Sequence, residues 1–171
     1  MADKKYIQRV IPIPRQYRPD EREAIAFEIL KYIRERTDKG KDKNGESFPS
    51  YSPSYKNSLE FKIAGKSKTA PVNLRLSGDM MAAMDLIKNE PGKLVIGYRP
   101  GDPEAGRAEG NIRGTYGQSS GSSKKKRDFL GISPKVLREE ILSKFPLDDK
   151  EALKEQTKQT LEIIQATEED G

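Results

Sequence analysis

Side chains that take up protons, attack or ligate are restricted in kind here: the chain of 171 residues contains neither cysteine nor histidine. That removes thiolate nucleophiles, disulfides, imidazole bases and the commonest zinc ligands. Carboxylate, lysine and tyrosine chemistry remain. Asp42, Asn44 and Glu46 alternate like the first ligands of a calcium loop, yet the sixth and twelfth positions, which need Gly and Glu, hold Ser47 and Pro53. This stretch therefore reads as a turn. Asp79 and Asp85 are six residues apart and share no helix face well enough to act as an acid–base pair. The glycine-rich stretch 106–121 lacks a Gly-Lys-Ser/Thr ending, so it does not read as a phosphate cradle. No catalytic, cofactor-binding or metal-binding residue is assigned, no cofactor is expected, and the chain does not read as an enzyme.

The remaining chemistry is charge. Lys124, Lys125, Lys126 and Arg127 form a run that could meet DNA phosphates or an acidic partner, although no aromatic residues interleave it as in single-strand binders. The distribution around it is uneven. Residues 31–75 carry 11 Lys/Arg against 5 Asp/Glu and residues 93–127 carry 8 against 3, whereas residues 134–171 carry 6 against 10. Basic loops and an acidic tail on one chain favour head-to-tail contact between copies, or contact with nucleic acid. With 33% hydrophobic and 35% charged residues and a mean hydropathy of -0.85, the core must be small, and whole stretches must find their burial elsewhere. No apolar run approaches the roughly 20 residues that span a bilayer, so a soluble chain made in a cytoplasm and without membrane partners is expected.

Positioning elements follow from periodicity. Residues 1–18 read as an extended N-terminal arm, because Pro12, Pro14 and Pro19 remove donors and disfavour helix. Val10, Ile11 and Ile13 would anchor that arm on a neighbour, or form a strand of the chain's own sheet. From Pro19 or Asp20 to about Thr37, Ile25, Ile29 and Ile33 recur at helical spacing, with Phe27 and Leu30 widening the stripe. Residues 40–72 read as a long loop rich in turn residues, with Tyr51, Tyr55 and Phe61 too apolar for a linker. Met80, Met84 and Ile87 predict a helix that Pro91-Gly92 stops, followed by a strand over Lys93–Tyr98. Residues 99–126 read as a second long loop, Arg127–Ile132 as a short strand, and Ser133-Pro134 as a helix start with Val136, Leu137, Ile141 and Leu142 buried. A last helix beginning at Asp148 or Asp149 shows a thin stripe of Leu153, Thr157, Leu161 and Ile164, suited to one partner. The fold class expected is α+β: a small antiparallel sheet packed with two or three helices, long extended loops and an N-terminal arm. The domain would cover 19–145, and 146–171 would be an acidic helix and tail.

Five short pieces, in order, carry a resemblance: Asp42–Phe48, Ser52–Tyr55, Leu74-Arg-Leu-Ser-Gly-Asp-Met80, Val95–Gly97 and Arg127–Ser133. Together they resemble the virion morphogenesis or tail-completion proteins of tailed bacteriophages, Mu-like phages among them, over about residues 20–142. Two departures stand out: Ala108–Gly117 lacks the histidine usual in that family, and Lys125 or Lys126 stands where a proline usually precedes the Arg-x-Phe. The resemblance implies a structural, non-enzymatic subunit that forms a homo-oligomeric ring, a hexamer, in the virion neck. Its partners would be a portal-side connector or adaptor and tail tube or sheath proteins, with Lys124–Arg127 near exiting DNA. Interface residues expected on this reading are Val10, Ile11, Ile13, Tyr51, Tyr55, Phe61, Leu153, Leu161 and Ile164. The alternative is a basic-loop nucleic-acid-binding module.

Overall fold

Three consecutive apolar residues, Leu94, Val95 and Ile96, are all buried, and their strand is the middle one of the sheet. In the computed structural model, which describes residues 3–49, 57, 78–114 and 126–147, the elements run as follows. A single turn α1 (Lys4–Ile7) leads into β1 (Gln8–Pro12), and the long helix α2 spans Pro19–Asp38. A second single turn, α3 (Asp79–Ala82), precedes β2 (Asp85–Glu90) and β3 (Lys93–Gly97). Helix α4 (Ala105–Arg113) follows, and the chain ends its described part with α5 (Pro134–Val136), a π turn over Leu137–Ile141 and a 3-10 turn over Leu142–Lys144. The sheet is antiparallel with order β1-β3-β2, so the protein is α+β.

Register decides which side of the sheet is core. Ile11 pairs with Leu94, and Leu86 pairs with Ile96, while Val10 pairs with Val95. Since neighbours along a strand point to opposite faces, Ile11, Leu94, Ile96 and Leu86 share the face that packs on α2, and Val10 and Val95 share the outer face. Helix α2 answers with Ile25, Ala26, Ile29, Leu30 and Ile33, all buried. Each fully buried isoleucine there contributes roughly 1.5–3 kcal/mol. Helix α2 starts with Pro19 in the first turn, where its missing N–H costs nothing, and the Glu21 carboxylate accepts from the Arg18 N–H at 3.1 Å. Arg22 ties the helix to the sheet: its Nε donates to the Asn89 side chain at 2.6 Å.

Several expectations are corrected. Residues 8–12 are an edge strand of the chain's own sheet, not a free arm, and Pro12 is accommodated as the strand's last residue. Ile11 and Ile13 are consequently buried in the chain's own core and cannot anchor a neighbour. The helix expected through Met80, Met84 and Ile87 is a single turn, after which the chain enters β2. Pro91-Gly92, read as a helix stop, is instead the two-residue loop of the β2–β3 hairpin, between partners Glu90 and Lys93 and with Gly92 at φ 83°. Proline followed by a positive-φ glycine is the pairing that a type II turn uses. Phe27 does not widen the buried stripe of α2; it is exposed.

The stretch 99–126 is not one loop, because Ala105, Ala108 and Ile112 give α4 a buried side. Residues 127–132 form no strand: Phe129 and Leu130 are adjacent and both buried, which alternation in a half-exposed strand forbids. The helix start at Ser133-Pro134 stands as expected, with Ser133 Oγ accepting from the Val136 N–H at 3.2 Å. Leu137, Ile141 and Leu142 are buried, and Val136 is only partly so.

Candidate functional site: a corner joining the turn at 41–48, α4 and residues 126–131

The described residues that flank 50–77 and 115–125 come together at one corner. Arg127 donates its backbone N–H to the Asn111 carbonyl at 2.7 Å and its side-chain Nε to the Pro49 carbonyl at 3.2 Å. Asn111, in the last turn of α4, places its side-chain amide 3.7 Å from the Met80 sulfur. Pro49 and Gly78 bound one segment and Gly114 and Lys126 the other, so both segments start and finish within a few residues of this network. Met80 is itself fixed from below: the buried Tyr98 hydroxyl donates to its carbonyl at 2.6 Å, and Tyr98 meets Phe129 edge to face.

The turn at 41–48 closes one side of the corner. The Asp42 carboxylate accepts from the Asn44 and Glu46 N–H groups at 2.8 and 2.9 Å, a local Asx turn in which the carboxylate serves its own backbone. Lys41 and Ser47 bridge across it, and Phe48 is buried beneath. The Lys43 N–H then donates to the Asp128 carbonyl at 3.0 Å, docking the turn on residues 126–131.

Electrostatically the corner is cationic around one carboxylate. Asp128 Oδ2 lies 3.0 Å from Lys43 Nζ and 3.5 Å from an Arg9 nitrogen, while its Oδ1 is buried without a hydrogen bond. Arg36, buried, donates to the Gly131 carbonyl at 2.8 Å and also to the Phe129 carbonyl. Burial pulls its pKa below the ordinary arginine value, and Tyr32, Asp42 and Asp128 nearby oppose that shift. The guanidinium thus takes up carbonyls that a strand at 127–132 would have used, which is a second reason no strand forms there.

The expected interface residues scatter. Val10 is exposed on the outer sheet face, next in the chain to Arg9, which reaches Asp128. Tyr51, Tyr55, Phe61, Leu153, Leu161, Ile164, Lys124 and Lys125 lie outside the described residues. Lys126 is exposed at the corner, and Arg127 is half-buried with its nitrogens engaged as above. Residues that sequence reasoning did not single out, Arg36, Lys43, Asn111 and Asp128, make the corner. The signal in the sequence is the pair of stretches Asp42–Phe48 and Arg127–Ile132, which the structure brings into contact.

Among the described residues no group of three or more carboxylates could hold a metal ion, and no helix is long and apolar enough to cross a membrane. The arrangement ties the turn at 41–48 to residues 126–131 and, through Arg127, to α4. No family model, no curated protein and no solved structure matches this chain.

Proposed function

We propose that the chain is a structural virion protein of a tailed bacteriophage, assembling as a ring of six copies in the neck, between a portal-side connector and the tail tube or sheath. It would act there as a tail-completion or terminator subunit without catalysis. The observation that carries this reading is the contact between the Lys43 N–H and the Asp128 carbonyl. It joins two of the stretches on which the resemblance rests, 85 positions apart in sequence, into one local structure. A small α+β body built on one three-stranded sheet and one long helix also fits the compact subunit that the resemblance implies. Imaging of particles assembled without this protein tests it: unjoined heads and tails are expected, and normally joined virions would refute it.

A second reading, nucleic-acid binding, is favoured by the cations that meet at the corner, Lys41 and Lys43 from the turn and Lys126 and Arg127 opposite. Most of that charge is engaged, Lys43 with Asp128, Lys41 with Ser47 and Arg127 with Pro49. Binding by Lys124, Lys125 and Lys126 should weaken steeply with salt as counterions are released. Replacing those three by serine and leaving Arg127, which the corner needs, should abolish heparin retention at moderate salt. Unchanged retention would remove this reading.

A further inference from the structure

The stretch Ile11-Pro12-Ile13-Pro14 sets its two prolines at one parity, and the ladder shows which way that parity faces. The Tyr98 N–H donates to the Ile7 carbonyl at 2.9 Å, and the Ile13 N–H donates to the Gly92 carbonyl at 3.0 Å. Hydrogen-bonded and non-bonded residues alternate along an antiparallel pair, and the register sets Arg9 opposite Ile96 and Ile11 opposite Leu94. The backbone groups of Ile7, Arg9, Ile11 and Ile13 therefore point towards β3. Those of Gln8, Val10 and Pro12 point away from it, along the outer edge of the sheet. We propose that this edge is closed to strand addition, with Pro12 as its guard, so that neither a second copy of this chain nor another extended segment lengthens the sheet at β1.

Each outward position is closed in its own way. The Gln8 N–H already donates to the Lys4 carbonyl at the end of α1, and the Gln8 carbonyl accepts from Arg9 Nη1 at 3.0 Å. Pro12 has no N–H, and neither has Pro14, one step past the last ladder bond. Among the outward residues of β1, Val10 is left to offer both a donor and an acceptor, where an open edge presents a whole row of them. The opposite edge is closed by other means. The pairing of β2 with β3 slips between Leu86 and Lys88, and the Leu86 N–H donates to the Asp85 carboxylate at 2.8 Å. Such a bulge bends and twists an edge away from an incoming strand. The guard operates in a monomer and in a ring alike: in either, copies meet through faces, helices or loops and not by extending the sheet.

Pro12→Val supplies the missing donor and a side chain suited to a strand. When two β1 edges pair antiparallel about Val10, residue 12 of each copy faces Gln8 of the other, so each copy of the variant gains an N–H aimed at a carbonyl. Pro12→Val should therefore self-associate at least about tenfold more tightly than wild type in sedimentation, the worth of one or two hydrogen bonds. Adding Val10→Pro removes the remaining donor of this edge without touching a bond to β3, and should return the chain to wild-type behaviour. Amide exchange of the unsubstituted chain is an independent measurement. The Val10 N–H should exchange at least about 100-fold faster than those of Arg9 and Ile11, both in dilute solution and at concentrations where copies associate. Exchange at Val10 as slow as at Ile11 would mean that the edge already carries a strand, and would overturn the proposal. A folded Pro12→Val chain that associates no more than wild type overturns it too, as does association of that variant that survives Val10→Pro.

Discussion

Arg36, near the end of α2, donates to the carbonyl of Gly131 at 2.8 Å from a buried position, 95 residues away in sequence. The same guanidinium reaches the Phe129 carbonyl, so one side chain holds an irregular segment that has no ladder of its own. Geometry makes the residue type specific. A planar fork can serve two carbonyls in fixed directions, and a lysine ammonium offers a point charge.

Arg36→Ala should therefore cost on the order of 3 kcal/mol, because it leaves two buried carbonyls without donors and opens space beside Tyr32. Arg36→Lys should recover less than half of that. Urea unfolding monitored by circular dichroism measures both. A loss below 0.5 kcal/mol for the alanine variant, well under that estimate, would show that the segment is held by other contacts.

Gly97 closes the buried middle strand at φ +134°, and a Cβ there would meet the Ile7 carbonyl oxygen at 2.0 Å. Backbone, not a movable side chain, is the obstacle. Gly97→Ala should thus displace α1 and the start of β1 and destabilise by more than about 2 kcal/mol, from strain and lost pairing together. Gly101→Ala is the control, since no atom lies within 4 Å of its Cβ position and its φ is not in the positive range. It should change stability by less than about 0.5 kcal/mol, as surface changes do. Thermal melts of the two variants, side by side, separate the cases.

What the sequence made legible, and what it hid, follows from how local each cause is. The long helix could be read because Ile25, Ile29 and Ile33 repeat at its own period, and its observed span, Pro19–Asp38, lies within a residue of the expected one. The start at Ser133-Pro134 was equally local. Residues 80–90 were misread because Met80, Met84 and Ile87 fit a helical template by spacing alone, while the pairing of Leu86 with Ile96 that makes them a hairpin is visible only in three dimensions. Pro91-Gly92 gives no help, because the two-residue hairpin loops that a sequence announces begin with Asn, Asp or Gly, not with proline. Helix α4 hid behind Gly106, Gly110 and Gly114, whose helix-breaking tendency outweighed the Ala105, Ala108, Ile112 stripe. The corner itself was illegible for a different reason: a lysine N–H on an Asp128 carbonyl leaves no trace in residue types.

Ser133 caps the short helical stretch that passes from α5 through a π turn into a 3-10 turn. So short a helix gains little from its own propagation and depends on its cap and on Leu137, Ile141 and Leu142 packing beneath it. Ser133→Ala should cost about 1 kcal/mol and speed hydrogen exchange at Val136 more than in α2. The exposed Lys144–Glu28 pair at 2.9 Å offers a contrast. Although that contact lowers the Glu28 pKa, Lys144→Ala should cost no more than about 0.5 kcal/mol, since solvent screens the pair.

Two tyrosines give the fold an alkaline limit. The Tyr17 hydroxyl donates to the Phe145 carbonyl at 2.5 Å, and burial, with a smaller contribution from Glu21, pushes its pKa up to about 12. Tyr98 is raised further, chiefly by burial, with Glu104 and Asp102 adding to the shift and Arg34 opposing it. In the unfolded chain both phenols ionise near 10, so above that pH the unfolded state binds fewer protons than the folded one. The stability they confer is complete below pH 10 and drains as the pH climbs towards 12 for Tyr17 and beyond it for Tyr98. The slope is at most about 1.4 kcal/mol per pH unit for each. Tyr17→Phe should cost about 1 kcal/mol at pH 7, where only the hydrogen bond is lost, and should fall less steeply than wild type between pH 10 and 11. Urea midpoints at pH 8, 10 and 11 for wild type, Tyr17→Phe and Tyr98→Phe decide it: parallel curves for all three would mean that neither phenol sets the limit.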